Sequence, residues 1–310
     1  MSFKKKYKRA LVTGGAGFIG SHIVESLIGM GIETVVIDDL SLGKKENVSK
    51  KAELIVGDIL DYAVLKKAMR GVDIVFHEAA KVSIRNSFDN FYNDANLNVM
   101  GTVNVLNGMI ENKVKKIVYA SSMAVYGDNK LPIIEKGSLE PGSPYGVSKL
   151  ASEKYCFLMG KYNKFDVVCL RYFNTYGPRQ TFTPYVGVIT IFINRLLKNQ
   201  APVIFGDGKQ VRDFIHVEDI VRANILAMEN EIHSLMANIG TGIGTSVNKI
   251  AKLLMQKINP GLGLKYAAPR QEEPANSVAS IIKAKITIGF KARYCLEDKI
   301  DEVIDYIKNQ

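Results

Sequence analysis

The chain has 310 residues, with 47% apolar and 23% charged side chains and an excess of ten basic over acidic groups. That length can bury a large core in one or two domains, and the ordinary composition excludes disordered and fibrous classes. No apolar run approaches the ~18–20 residues that span a bilayer, and the basic start Met1–Arg9 lacks the apolar stretch and small-residue cleavage site of a secretory leader. Cys156, Cys169 and Cys295 are odd in number and lack metal-ligand spacing. They are expected as buried thiols of a reducing compartment, the cytoplasm, with no metal. The lysines are scattered in twos and threes, and no helix carries a basic stripe interleaved with aromatics. Neither nucleic acid nor membrane is therefore an expected partner, although a positive field would help to attract an anionic nucleotide.

In chain order, Arg9-Ala10-Leu11-Val12-Thr13 predicts a buried strand, followed by the glycine loop Thr13–Gly20 and a helix near 18–30. Thr34–Asp38, Leu54–Asp58, Asp73–Phe76, Lys116–Ala120 and Asp166–Leu170 predict five more strands, most of them separated by helical stretches. Apolar, β-branched runs alternating with helices indicate a parallel sheet covered on both faces. With right-handed crossovers this gives an α/β fold with a Rossmann-type doubly wound parallel sheet. After about residue 172 turn-rich stretches such as Tyr176-Gly177-Pro178-Arg179 and Gly206-Asp207-Gly208 separate short elements. The expected division is 1–172 for the dinucleotide-binding domain and 173–310 for a smaller substrate domain at the carboxyl edge of the sheet, with a segment near 212–230 returning to the first.

Gly14, Gly17 and Gly20 follow a strand and open a helix, as a tight turn beneath a pyrophosphate requires. A lone glycine pattern is weak, but its place in the first βα turn strengthens it. Asp38 closes the second strand about 20 residues on, where a carboxylate would bind the adenosine 2′-hydroxyl and repel a 2′-phosphate. Asp39 adds a second negative charge, which favours NAD over NADP; the plainer reading is that both aspartates form a turn. Asp58 is expected at the end of the third strand beside the adenine, and Ala79 and Ala80 end the fourth, where small side chains admit a cofactor. Tyr145 and Lys149 are four residues apart and so share a helix face. Their plainer reading is two surface residues. As a base, Tyr145 must fall from ~10 to about 7, which takes roughly 4 kcal/mol. An ammonium at Lys149 together with a cationic nicotinamide is expected to supply much of it.

These residues resemble the extended short-chain dehydrogenase/reductases that act on nucleotide sugars, and among them the UDP-glucose 4-epimerases and related UDP-hexose 4-epimerases. The resemblance covers almost the whole chain. It is carried by Thr13–Gly20, His77-Glu78-Ala79-Ala80, Asn98-Val99-Met100-Gly101-Thr102 and Ser121-Ser122-Met123-Ala124-Val125-Tyr126-Gly127. It continues through Tyr145–Lys149, Arg171-Tyr172-Phe173-Asn174 and Gly206–His216. It implies Ser122, Tyr145 and Lys149 as the catalytic trio, with Ser122 on the sugar 4-hydroxyl and Lys149 on the nicotinamide ribose. Phe18, Ile19, Ile59, Asn98 and Tyr172 join the cofactor contacts. Asn174, Ser83 and Val203 are implied at the substrate, Phe205 on the uracil, Arg212 and Arg270 on the diphosphate and Glu273 on the uridine ribose. Two arginines suit a diphosphate because guanidinium binds it in bidentate fashion.

The implied activity is reversible inversion at C4 of a UDP-hexose through a 4-keto sugar with tightly held NAD. Sister dehydratases need an acidic pair just after the active-site hydroxyl, and decarboxylases commonly a glutamate. Met123 and Ala124 stand there instead and transfer no protons. A decarboxylase or reductase on another nucleotide sugar is the alternative, and a nucleotide-sensing or nucleic-acid-binding scaffold a remote one. Ser277, four residues after Glu273, replaces the bulky tyrosine of glucose-restricted relatives, which predicts room for a 2-acetamido group; its plainer reading is a solvated loop serine. The family's usual homodimer would use the helical stretches near 88–112 and 144–163. Three departures stand out: Glu78 where an apolar residue is more usual, Ser280 in place of an aspartate, and Gly289-Phe290 without a nearby proline.

Overall fold

The computed structural model describes residues 7–183, 187–269 and 276–310. Seven strands form one parallel sheet in the order Ser234–Ile239, Asp166–Tyr172, Lys116–Ser122, Ile74–His77, Arg9–Thr13, Glu33–Asp38, Glu53–Val56. All six strands expected from the sequence are present, with ends shifted by a residue or two. The third strand stops at Val56, so Asp58 lies in the loop beyond it, and Ala79 and Ala80 likewise follow the end of the fourth at His77.

The sheet is buried on both sides, which explains its near-continuous apolar strands. On one face Ile23, Val24 and Leu27 of helix Phe18–Gly29 pack with Ile220, Ala223 and Ala227 of helix Val217–Glu229. On the other, Leu65, Val105, Leu106, Met109 and Cys156 come from helices Tyr62–Ala68, Gly101–Asn112 and Pro144–Asn163. The chain winds outward from Arg9–Thr13 through Glu33–Asp38, then returns to start the other half at Ile74–His77. Loops therefore diverge at the carboxyl ends of these two strands and leave a crevice between them.

Residues past 172 divide between two sites in the fold. Helix Val217–Glu229 and strand Ser234–Ile239 belong to the main sheet and its cover, whereas Val211–His216 joins a smaller sheet with Gly244–Ser246, Asn276–Ser277 and Asn174–Tyr176. A separate core formed by Ile189, Phe192, Ile250, Leu254, Ile300 and Val303 supports that smaller part.

Buried Asp213 ties the two parts together. Its carboxylate accepts from Thr241 N (2.8 Å), Thr241 Oγ1 (2.6 Å), Gly242 N (2.9 Å) and Ala279 N (3.1 Å). Beneath the reacting end of the crevice, Arg171 is fully buried and makes a two-pronged pair with Glu153 at 2.8 and 2.7 Å. Tyr126 accepts from Arg171 at 2.8 Å, and Ser121 donates to Glu153 at 2.6 Å. A buried ion pair needs this degree of hydrogen bonding to offset its desolvation. No helix among the described residues is long and apolar enough to cross a membrane.

Candidate active site

One cavity of about 780 Å³ runs from the glycine loop along the carboxyl edge of the sheet to the smaller part, within the usual range for ligand sites. The glycine loop forms one end. Gly14 has φ +68°, and a Cβ there would stand 2.7 Å from Ala79 N; a Cβ on Gly20 would collide with Gly14 O. The loop is thus packed backbone to backbone, and Gly17 caps the following helix without a side-chain bond. A helix start of this kind suits a pyrophosphate, so the residues present fit a dinucleotide.

Asp38 accepts from Ala16 N and Leu40 N, both at 2.9 Å, and Asp39 from Ser41 N (2.9 Å) and Ser41 Oγ (2.7 Å). The aspartates therefore form turns and also line the cavity, so the two sequence readings are compatible. Burial raises the Asp38 carboxyl, and the Leu40 and Ala16 N–H groups oppose that rise. Phe18, Ile19, Asp58, Ile59, Ala79, Ala80 and Tyr172 also line this cavity.

At the reacting end, strand Lys116–Ser122 presents Ser122 and helix Pro144–Asn163 presents Tyr145 and Lys149. Ser143 caps that helix by accepting from Gly146 N at 3.1 Å, with Pro144 in its first turn. Ser122 and Tyr145 both face the cavity. Tyr145 and Lys149 are both buried, not surface residues.

Without a cofactor, burial dominates the electrostatics of this pair. Burial pushes Tyr145 up to about 12; the Ser122 hydroxyl opposes this, and the charges of Asp94 and Glu78 reinforce it. Lys149 stands beside the phenol without bonding it. Its ammonium donates to Ala120 O at 2.8 Å and lies 6.0 Å from the Tyr145 ring centre, against 5.0 Å from that of Tyr119. Burial also brings Lys149 down to about 8, with Glu78 and Asp94 working against the fall. Burial therefore keeps the phenol neutral at pH 7 in the cofactor-free protein, and further positive charge beside it would favour its ionisation.

Residues 10–240 match the family described as NAD dependent epimerase/dehydratase. The chain belongs to that family. A Methanocaldococcus jannaschii relative, whose name of UDP-glucose 4-epimerase is provisional, is 42% identical over 304 residues, 96% of this chain and 98% of its own. A solved UDP-glucose 4-epimerase of Thermotoga maritima, bound to UDP-glucose, is 36% identical with a TM-score of 0.93, covering 97% of this chain and 99% of its own. A UDP-N-acetylglucosamine 4-epimerase of Methanobrevibacter ruminantium, in complex with UDP-N-acetylmuramic acid, is 35% identical with a TM-score of 0.93, covering 98% and 99%.

Of the other positions in this epimerase/dehydratase chain, Ser83, Asn174, Val203, Phe205 and Arg212 line the cavity. Arg270 and Glu273 lie outside the described residues. Asn98 is not on the cavity wall. It sits in the π-helical turn Asn96–Met100, where its side chain accepts from Lys81 N (2.8 Å) and donates to Lys81 O (3.2 Å), Asp94 Oδ2 (3.1 Å) and Ser148 Oγ (3.1 Å). It clamps the loop after the fourth strand to the Tyr145 helix.

Ser277 is fully buried, neither solvated nor on the wall, and stands 3.4 Å behind Asn174 Nδ2. A larger side chain at 277 would therefore act on the cavity through Asn174.

The sequence reading did not assign Lys81, Arg85, Gln180 and Arg195, which line the cavity. Nor did it assign a site role to Glu78. The available signal for Glu78 was a carboxyl placed directly after an apolar parallel strand, where such sheets bind ligands.

Proposed function

We propose that the protein catalyses reversible C4 epimerisation of a UDP-hexose, with NAD at the glycine-loop end of the cavity and the sugar against Ser122 and Tyr145. The observation that carries this reading is that Ser122, Tyr145 and Lys149 line one cavity with the glycine loop at one end and Arg212 at the other. NAD, when bound there, would supply an oxidant able to take the C4 hydride and give it back, and a positive ring that adds to the Lys149 charge beside Tyr145. Tyr145, directly or through Ser122, takes the C4 hydroxyl proton and returns it. Lys149, anchored on Ala120 O, stays beside the phenol as a fixed cation.

We assign Arg212 and Arg270 to the diphosphate, Phe205 to the base, Glu273 to the ribose, and Asn174, Ser83 and Val203 to the remainder of the substrate. Met123 and Ala124 supply no acid at the two positions after Ser122, where elimination needs a pair. Residues 1–172, with the later elements that return to the main sheet, form the NAD-binding half. Most of 173–310 forms the sugar-nucleotide half.

The substrate range includes UDP-GlcNAc and UDP-GalNAc alongside UDP-glucose and UDP-galactose, which places the enzyme in carbohydrate, including galactose, metabolism. Small Ser277 and the resemblance to a UDP-N-acetylglucosamine 4-epimerase support that breadth. The working form is a cytoplasmic homodimer. Phe91, Tyr92, Tyr155, Leu158 and Tyr162 expose apolar surface on Phe91–Ala95 and Pro144–Asn163, the helices expected to pair.

The test incubates the purified protein with UDP-glucose and, separately, UDP-GlcNAc without added cofactor, and follows the anomeric protons by NMR. Both are expected to relax to mixtures with their C4 epimers. Tyr145→Phe is expected to retain NAD and lose turnover by about 10²–10⁴-fold. Undiminished turnover by Tyr145→Phe, or no conversion of either sugar by the natural protein, would refute the reading.

A further inference from the structure

His77 and Glu78 are neighbours at the carboxyl end of strand Ile74–His77 and face different surroundings. His77 is buried between Thr13 Oγ1 (2.7 Å) and Thr102 Oγ1 (3.0 Å), and burial pulls it down to about 3, so it is neutral. Glu78 lines the cavity. Its Oε1 accepts from Tyr172 OH at 2.9 Å, and the Tyr172 oxygen accepts from Asn224 Nδ2 at 2.7 Å. The carboxyl is thus held by a hydrogen-bond chain that ends on helix Val217–Glu229.

The groups around it come from several elements. Tyr172 belongs to strand Asp166–Tyr172 and Asn224 to the helix behind it. Lys149 and Tyr145 belong to helix Pro144–Asn163, and both feel the charge of Glu78. Asp94, the second carboxyl near the pair, is buried and bonded to Asn98 at 3.1 Å. Lys149 is committed to Ala120 O, and the mechanism above makes no use of Glu78.

We propose that Glu78 is a positioning residue for the cofactor: its carboxylate, held by Tyr172, favours the cationic oxidised nicotinamide over the neutral reduced ring at the Tyr145/Lys149 end of the cavity. The inference rests on the NAD-binding reading. A negative charge in a low-dielectric site discriminates between two rings that differ by one positive charge. Loss of hydration raises Glu78 to about 7, with the Tyr172 bond and Lys149 pulling it back, so the preference for the oxidised form grows through neutral pH. Lys149, brought down to about 8, contributes in the same direction only at higher pH. The consequence is a resting enzyme held in the state that can begin turnover.

The test measures the ratio of NADH to NAD⁺ dissociation constants for the full chain from pH 6 to 7.5, by NADH fluorescence and competition, in the natural protein, Glu78→Gln and Glu78→Leu. A glutamine keeps an acceptor for Tyr172, so it separates charge from shape. In the natural protein the ratio is expected to rise with pH. In both variants it is expected to be flat and, at pH 7.5, lower by about tenfold, the effect of one pKa unit of differential interaction. A glutamine variant that matches the natural protein overturns the proposal, and if the leucine variant does not fold the glutamine variant alone decides. Failure of the natural protein to bind either nucleotide overturns both this proposal and the NAD reading. The expected ratios without UDP-hexose conversion would leave this proposal standing and remove the epimerase reading.

Discussion

Lys149 is held charged in the core at a cost to stability, and Lys149→Met measures that cost. The folded-state value is about 8 against 10.5 for a solvated lysine. The difference corresponds to about 3 kcal/mol, at ~1.4 kcal/mol per unit. Because the folded value is the lower one, the unfolded chain binds more protons between pH 8 and 10.5. The penalty is therefore complete below pH 8 and is relieved as pH rises through that window. Methionine removes the penalty and also the charge-assisted bond to Ala120 O, worth about 1.5–3 kcal/mol. The net expectation for cofactor-free protein at pH 7 is a variant that is equally stable or more stable by about one or two kcal/mol. Urea denaturation at pH 7 and at pH 9.5 is the assay, because part of the natural protein's penalty has gone at the higher pH. The natural protein is expected to gain stability relative to the variant by about 2 kcal/mol over that interval, while the variant loses catalysis at both pH values. A variant clearly less stable at pH 7, or one whose difference from the natural protein is independent of pH, would show that Lys149 is not held at a depressed value.

Gly20→Ala places a Cβ against Gly14 O. Purified protein is expected to carry no NAD while keeping its fold, as read by bound-nucleotide absorbance and circular dichroism. Glu153→Ala leaves the guanidinium of Arg171 buried without its carboxylate, and a loss of about 3–5 kcal/mol in denaturant stability is expected. Ser277→Tyr is expected to displace Asn174 and to reduce turnover of UDP-GlcNAc more than that of UDP-glucose. Equal effects in paired kinetics would remove the gating role.

The legibility of this chain follows the range of its interactions. The strands Arg9–Thr13 and Glu33–Asp38 could be read because apolar runs between turns reflect burial directly, and the glycine loop because a local backbone demand leaves a local pattern. Tyr145 and Lys149 could be paired because four residues make one helical turn. Their electrostatics could not be read, because burial, Glu78 and Asp94 reach Tyr145 from elsewhere in the fold. The hydrogen bonds of Asn98 could not be read for a related reason. Its family motif is sequential, whereas its partners Lys81 and Ser148 are brought to it by a π-helical turn and a neighbouring helix. The burial of Ser277 could not be read because a two-residue strand leaves no periodicity.

The Asp213 knot bears on where the polypeptide can be cut. The family match ends at residue 240, an attractive place to stop a shortened clone. All four hydrogen bonds to the Asp213 carboxylate come from Thr241, Gly242 and Ala279, beyond that point. A fragment ending at 240 would keep the carboxylate and lose every one of those donors, along with Val247, Ile250 and the other apolar residues that close the second core. The boundary of sequence similarity is therefore not a boundary of autonomous folding. Split reporters, tags or permuted termini are better introduced at exposed turns such as the one around Gly261 than at the end of the recognisable motif.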